Sequence, residues 1–148
     1  MSASSRENAI AALMSLLAAA YAWKSGPARR LKLWNDVSTS ARPACFLFEG
    51  GEDVYSWTET ARVKRIIEVR LFIYLSAKDG SVVGAALLNE VMDALDAALV
   101  PKGADELVGR NTLGGAVHHC LIEGKVLKDP GDLDGDALLV VPVKIVLS

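Results

Sequence analysis

The alternation of apolar and polar positions along the chain predicts four strands. The clearest lies over residues 62–75, where odd-numbered positions are mostly apolar and even-numbered positions include Lys64, Glu68 and Arg70. Further strands are predicted over residues 44–48, 116–127 and 137–147. Pro142 lies inside the last strand and cannot donate a ladder hydrogen bond, so it indicates a sheet edge or a β-bulge.

A first helix is predicted from the apolar stretch of residues 9–23, which only Ser15 interrupts. Ser4 and Glu7 have the spacing of a capping box, and Gly26-Pro27 ends the helix. The apolar face of this helix consists of Ile10, Leu13, Leu17 and Tyr21. The opposite face is mostly alanine, which allows close approach by another element, including a neighbouring subunit.

Two other interpretations of this apolar stretch are less consistent with its residues. A membrane span needs about 20 apolar residues, and this run is shorter and rich in alanine. Ala20-Tyr21-Ala22 has the small-x-small form of a signal-peptide cleavage site, but the charges of Arg6 and Glu7 cancel where an export signal is positive. We therefore expect a core helix.

The remaining pattern predicts a second helix and the fold class. This helix begins at Ser81 as its N-cap and continues to about residue 100. Its apolar stripe consists of Leu88, Val91, Met92, Leu95 and Leu99. The element order is α-β-β-α-β-β, which predicts an α+β fold: a mainly antiparallel sheet of four to five strands with two helices packed on one face. Residues 1–148 are expected to form a single domain.

Composition excludes several classes of protein but assigns no function. The chain has 148 residues, 51% hydrophobic and 23% charged, which is too apolar for intrinsic disorder. Its 16 basic and 18 acidic residues argue against a dedicated nucleic-acid binder. The charge is uneven: residues 1–75 hold 10 basic and 7 acidic groups, and residues 76–148 hold 6 and 11. Such a distribution can give an oligomer one positive and one negative surface.

The candidate sites for chemistry each lack a required part. Asp132, Asp134 and Asp136 alternate, but an EF-hand loop starting at Asp132 would need glycine at position 137 and glutamate at position 143, which are alanine and valine. His118 and Cys120 would share one strand face and His119 the other, so a metal site would need a further ligand such as Cys45. Glu68 is expected in a cross-strand ion pair. We therefore predict no enzyme, metal or cofactor.

Three segments of the chain resemble the tail terminator proteins of long-tailed bacteriophages and of phage-derived tail particles. They are residues 42–47 (RPACFL), residues 111–124 (NTLGG through HH to IEG), and residues 131–145 (GDLDG leading into VVPVKI). Together with the predicted second helix, the resemblance covers most of the chain from about residue 31 onward.

The resemblance implies a structural virion protein without catalytic residues. Such subunits assemble as a ring, expected to be hexameric, on the head-proximal end of the tail tube. The ring stops tube polymerisation and offers a surface to head-completion or connector proteins, and genome DNA passes through its lumen without sequence recognition. The implied partners are therefore copies of the chain, the tail tube protein and the head-joining proteins, with no membrane. The implied location is the virion tail, and the host cytoplasm during assembly.

The contact residues are predicted from this sequence alone. Tyr55 and Trp57, in a predicted loop over residues 50–60, are the expected docking aromatics, although Trp57 could instead cover the local core. Contacts with the ring or tube are expected near Arg65, Glu68 and Arg70. Negative charge at a ring surface or rim is expected from Asp129, Asp132, Asp134 and Asp136.

Two other functions stay open at the level of sequence. One is a head–tail connector or other minor tail component with the same kind of small ring-forming fold. The other is a small metal-dependent enzyme that uses His118, His119 and the aspartates.

Overall fold

The computed structural model describes residues 5–56 and 63–147, a mixed α/β fold built on one six-stranded sheet. The helices are α1 (Ser5–Ala20), α2 (Gly84–Leu99) and α3 (Asp105–Val108). The strands are β1 (Ser25–Ala28), β2 (Ala44–Ser56), β3 (Val63–Ser76), β4 (His119–Ile122), β5 (Leu127–Asp129) and β6 (Asp136–Val146). The α+β prediction is thus confirmed in part, with more strands and helices than expected.

The strand order β1-β2-β3-β6-β4 puts the last strand of the chain inside the sheet. β3 pairs with β6 along its whole length, and β4 and β5 pair with successive parts of the other edge of β6. All of these pairs are antiparallel, as is β2 with β3, whereas β1 is parallel to β2. The sheet is therefore mainly antiparallel, as predicted.

Both long helices pack on one face of this sheet because their apolar stripes meet the alternating apolar side of the strands. Ile10, Leu13 and Leu17 of α1 are fully buried, and Leu88, Val91 and Leu95 of α2 lie in the same core. Leu71 and Ile73 of β3 contribute from the sheet. Each such side chain contributes about 1.5–3 kcal/mol by leaving water. The predicted stripes of both helices are confirmed except for Tyr21, which lies just beyond the end of α1 and is partly buried, because the helix ends before the predicted stop at Gly26-Pro27; Ser4 of the predicted capping box lies outside the described residues.

The predicted loop over residues 50–60 is wrong for its first part, because β2 continues to Ser56. The ladder between β2 and β3 shifts register between Glu49 and Gly51, which accommodates one extra residue as a bulge. β2 extends to Ser56 because β3 supplies hydrogen-bonding backbone groups opposite it over this whole length. The local sequence of β2, which two glycines interrupt, does not reveal that β3 is its partner.

β1 was not predicted, because Gly26-Pro27 has the composition of a helix stop. Gly26 has φ of +85°, and a Cβ at this position would lie 2.2 Å from the carbonyl oxygen of Cys45. The absence of a side chain therefore lets this short segment approach β2 and pair with it.

The predicted strand over residues 116–127 is two strands with a break between them. β4 pairs with the end of β6, and β5 pairs with its beginning. The amide of Glu123 donates to the carbonyl of Pro142 at 3.3 Å, so Pro142 faces the interruption. Of the two predicted explanations for Pro142, the edge position is right: β6 keeps its register with β3 through Pro142, and on the other side Pro142 lies in the gap between β4 and β5.

Helix α2 starts two residues later than predicted, and Ser81 does not cap it. The N-cap is Val83, which makes no side-chain cap hydrogen bond. Instead the carboxylate of Asp79 accepts the amide of Ser81 at 3.0 Å and its hydroxyl at 2.8 Å. Ser81 therefore bonds within this turn, and its hydroxyl does not cap the helix.

The side of the sheet away from the helices is partly covered by residues 29–42, which include two 3₁₀ turns (Trp34–Asp36 and Thr39–Ala41). Val37 packs there against Phe46 and Tyr74, forming a second, smaller core. The hydroxyl of Tyr74 donates to the carbonyl of Lys32, which fixes the covering segment to β3.

A buried guanidinium connects this covering segment to the sheet. Arg42 donates to Asp136 Oδ1 at 2.6 Å and to the carbonyls of Trp34, Val37 and Leu75 at 2.7, 3.1 and 3.3 Å. The side chains of Arg42 and Asp136 are only 4% and 15% exposed, so water compensates little of their charge.

Removing the Arg42 charge should leave Asp136, in a poorly hydrated site, with only the more distant ammonium of Lys78, which lies 3.7 Å from its Oδ1. We expect Arg42→Met to lower the free energy of unfolding by about 3 kcal/mol. The exposed Arg30, replaced in the same way, is the matched control and should change stability by less than about 0.5 kcal/mol. Urea unfolding followed by circular dichroism measures both; equal effects of the two substitutions would contradict the role given to Arg42.

Gly84 should tolerate no side chain, although alanine is the better helix former. A Cβ there would lie 1.7 Å from the carbonyl oxygen of Pro130, because the start of α2 packs directly on the turn before β6. We expect Gly84→Ala to destabilise the protein by about 2 kcal/mol or more. Gly80→Ala is the control, since a Cβ at position 80 meets nothing within 4 Å. A thermal melt in which Gly84→Ala is the more stable variant would refute this packing.

Candidate functional site

The sheet has two faces with different surroundings: a helix face under α1 and α2, and an open face on the other side. Residues 29–42 cover one half of the open face. The uncovered half consists of two rows across the sheet, in which Phe48 is opposite Arg70 and Arg70 opposite Pro142, while Gly51 is opposite Glu68 and Glu68 opposite Lys144. We call this half the open cleft.

The open cleft has a volume of about 680 Å³ and combines apolar and charged walls. Its lining includes Phe48, Glu68, Arg70, Glu123, Leu127 and Lys144. Phe48 is 41% exposed and Leu127 53% exposed. Large apolar side chains surrounded by polar groups are typical of surfaces that bind other proteins.

The charges in the open cleft form a loose network centred on Lys144. Its ammonium lies 3.9 Å from Glu68 Oε1 and 3.7 Å from Glu123 Oε2. Lys144 is 32% exposed, and the two glutamates 46% and 58%, so solvent screens both pairs and each contributes at most about 1 kcal/mol. Such pairs can exchange partners when another charged surface approaches, which suits a contact surface.

The predicted contact residues of β3 are divided between the two faces. Glu68 and Arg70 line the open cleft, and the expected cross-strand pair of Glu68 is present with Lys144. Arg65 lies on the helix face instead, because side chains of odd and even positions alternate along β3. It lies near Glu52, whose pKa is held below its usual value mainly by Arg6 and to a smaller extent by Arg65. The structure therefore does not bring Arg65 together with Glu68 and Arg70.

The predicted docking aromatics are described only in part. Tyr55 belongs to β2, where its backbone is opposite Lys64. The side chain of Tyr55 and the whole of Trp57 lie outside the described residues, so the docking role of both stays a prediction.

The four aspartates predicted to form an acidic rim have different surroundings. Asp132 and Asp134 are exposed, and Asp134 accepts the amide of Asp136 at 2.9 Å. Asp129 accepts the amide of Gly131 at 3.0 Å, which closes the turn. Asp136 points inward to Arg42, so the expectation that it presents negative charge outward is wrong. Sequence alone did not reveal this inward orientation, because Asp136 begins a buried strand and its partner Arg42 is far away in the chain.

Asn111 organises the glycine-bearing loop that precedes β4. Its buried side chain donates to the carbonyl of Leu99 at 3.2 Å and accepts the amide of Leu113 at 3.0 Å, and its own amide donates to His119 Nδ1 at 3.1 Å. The carboxylate of Asp105 accepts the amide and hydroxyl of Thr112, which lowers the pKa of Asp105. The loop is therefore held by its own polar groups and is attached to the end of α2.

The histidines and cysteines do not come together as a metal site in the described part of the chain. Cys45 lies in β2 and Cys120 in β4, with β3 and β6 between them, a separation of about 14 Å at the usual strand spacing. Over residues 5–56 and 63–147, no three His, Cys, Asp or Glu side chains converge.

A second cleft, of about 580 Å³, runs between α1 and α2 on the outer side of the helix layer. Alanines line most of it, including Ala12 and Ala19 of α1 and Ala94 and Ala97 of α2. The alanine face predicted on α1 thus lies beside α2. Contact of this face with a neighbouring subunit stays a prediction.

Comparison with known proteins adds no family to this picture. No protein-family model matches the chain, and no curated protein is significantly similar to it. Across the residues that the structure describes, no helix has both the length and the apolar character needed to cross a membrane. The fold is a mixed α/β fold, and the open cleft is a surface of mixed apolar and charged residues on its sheet.

Both cysteines should be unreactive in the folded protein. Burial raises the pKa of Cys45 and that of Cys120 to about 12, so almost no thiolate exists near pH 8. We expect no reaction with Ellman's reagent under native conditions and two thiols per chain in guanidinium chloride. Rapid native labelling of either thiol would contradict the placement of these strands in the core.

Proposed function

We propose that the protein is a tail terminator: a ring-forming subunit that caps the head-proximal end of a phage tail tube. The observation that carries this proposal is the open cleft, where exposed apolar side chains are surrounded by charged groups on a sheet that is otherwise covered. The resemblance of three segments to tail terminators supplies the class of partner for such a surface.

The three resembling segments lie in the core of the protein and in its turns. Residues 42–47 hold Arg42 and the beginning of β2, and residues 111–124 hold the Asn111 loop and β4. Residues 131–145 hold the turn before β6 and most of that strand. Because these segments build the core and its turns, the resemblance concerns the fold, and the contact residues must be tested separately.

The mechanism requires a subunit with one surface that binds the end of the tube and an opposite surface that does not bind another tube subunit. In this proposal, Glu68, Arg70 and Lys144 of the open cleft exchange their mutual ion pairs for contacts with a neighbouring subunit or the tube protein. The exposed Asp132 and Asp134 lie on the turn before β6 and add negative charge to a rim. Charge complementarity of this kind fixes orientation and excludes wrong partners.

The proposal also includes the partners and location that the resemblance implies. Copies of the chain form the ring, expected to be hexameric, and the tail tube protein and head-joining proteins bind its two ends. DNA passes through the lumen without base recognition, in accord with the slightly negative net charge. The ring is part of the virion tail after assembly in the host cytoplasm.

Electron microscopy of a null mutant tests the function directly. Loss of a terminator should give overlong tails, because nothing stops tube polymerisation. Finished tails of normal length that fail to join heads would indicate the connector alternative and overturn the terminator proposal.

Arg70→Glu tests whether the open cleft carries the function. Reversing this exposed charge should leave the fold intact but reproduce the overlong tails of the null mutant, because the cleft would repel its partner. Lys102→Glu is the matched control, since Lys102 borders the alanine-lined cleft on the other side of the protein. Normal tail lengths with Arg70→Glu, alongside unchanged circular dichroism, would remove the open cleft from the proposed mechanism.

A further inference from the structure

The turn before β6 presents one apolar side chain between two carboxylates. Leu133 is fully exposed, and its neighbours Asp132 and Asp134 are exposed as well. Within the described residues Asp132 makes no hydrogen bond or ion pair, and Asp134 uses only Oδ1, which accepts the amide of Asp136. We call residues 132–134 the tip. Its leucine gains no burial in the isolated subunit, so its apolar area is available to a contact.

Backbone hydrogen bonds fix the base of the tip. The amide of Gly135 donates to the carbonyl of Gly131 at 2.8 Å, which closes the turn. The carbonyl of Gly135 accepts the amide of Ala77 at 2.8 Å, which attaches the turn to the chain just after β3. A tip that is already ordered loses little conformational entropy when it docks.

The open cleft holds more cations than its own carboxylates pair with. Glu68 and Glu123 both lie near the single ammonium of Lys144, at 3.9 and 3.7 Å. Arg70 and Lys125 also line the cleft, and neither has an ion-pair partner among the residues that the structure describes. The cleft therefore has two cations available to carboxylates from outside.

Exposed apolar side chains lie beside these two cations. Phe48 is opposite Arg70 on the neighbouring strand, and Leu127 follows Lys125 by two residues. Both apolar side chains are about half exposed and line the cleft. The tip thus has one apolar side chain with two carboxylates, and the cleft has an apolar surface with two unpaired cations. The two surfaces are complementary in both apolar character and charge.

The tip does not reach the cleft of its own subunit. It precedes Asp136, the first residue of β6, whereas Arg70 is opposite Pro142, six residues further along that strand. Six residues of extended strand span about 20 Å. The residues that line the cleft do not include Leu133. A tip that fills the cleft therefore comes from another molecule.

We propose that the tip of one copy of the chain docks in the open cleft of the next copy. The inference rests on the proposed ring and names its subunit contact: Leu133 packs beside Phe48, and the two aspartates of the tip pair with Arg70 and Lys125. Both halves of the contact belong to this chain, so a second copy supplies all the chemistry that the cleft requires. Because the tip and the cleft are different surfaces, the contact is head-to-tail, and such contacts form a ring when the rotation between subunits closes.

Two exposed leucines provide a matched test of this contact. Leu133→Asp should weaken association at least about tenfold, because the tip would then bring a third carboxylate and no apolar side chain to the cleft. Leu107→Asp is the control, since Leu107 is 91% exposed and belongs to neither the tip nor the cleft. Native mass over a range of concentrations measures association, and circular dichroism verifies that both variants fold. Equal association of the two folded variants would overturn the docking of the tip.

Charge exchange between subunits tests the ion pairs. Arg70→Glu and Asp132→Arg should each fail to associate alone, because each introduces like charges at every contact. A mixture of the two variants should form an oligomer of alternating subunits, since the reversed cleft of one matches the reversed tip of the other and the unchanged surfaces still match. Native mass spectrometry resolves this composition. A mixture that stays monomeric, although both variants are folded, would overturn the pairing.

The unmodified chain, measured alone and with the tube protein, distinguishes the contact from the ring. An oligomer whose association survives Leu133→Asp overturns the contact between tip and cleft and leaves the ring intact. A monomer under both conditions overturns the contact and the ring together.

Discussion

The buried pair of Arg42 and Asp136 is the interaction on which the arrangement of the sheet depends. A guanidinium removed from water needs acceptors for its donors, and here one carboxylate and three carbonyls accept from Nη1 and Nη2, while Nε has no partner among the described residues. These groups belong to the start of β6, the end of β3 and the 3₁₀ segment. The pair therefore fixes where the covering segment ends and where the central strand begins. A pair of this kind determines position more than it adds stability, since desolvation offsets much of its attraction.

The position of that covering segment creates the candidate site. Residues 29–42 bury Phe46 and Tyr74 but do not reach Phe48, Glu68 and Arg70, so half of one sheet face stays accessible. The other face carries the helices and the main core, which makes the sheet a rigid support for the open cleft. Among the described strands, β2 beyond Phe46 and β5 each have one side without a strand partner.

Local periodicity was sufficient to predict the elements that bury one side in the main core. The stripe of α2 and the alternation of β3 follow from burial against a single core, and both predictions are confirmed. The prediction failed where pairing with a distant strand overrides local composition. Glycines in residues 50–51 favour a loop until β3 supplies a ladder, and Gly26-Pro27 resembles a helix stop until Cys45 supplies a neighbour. The break between β4 and β5 can be predicted only when Pro142 is known to lie on the adjacent strand.

The candidate site shows the same division. The sequence by itself determined that Glu68 and Arg70 share a strand face, because side chains alternate with a period of two residues. The same period of two residues puts Arg65 on the other face. Only the tertiary structure decided that Lys144 and Glu123 join Glu68, and that Asp136 points inward to Arg42. Those relations depend on which strands are neighbours, and neighbours are chosen by hydrogen bonding and burial between segments far apart in the chain.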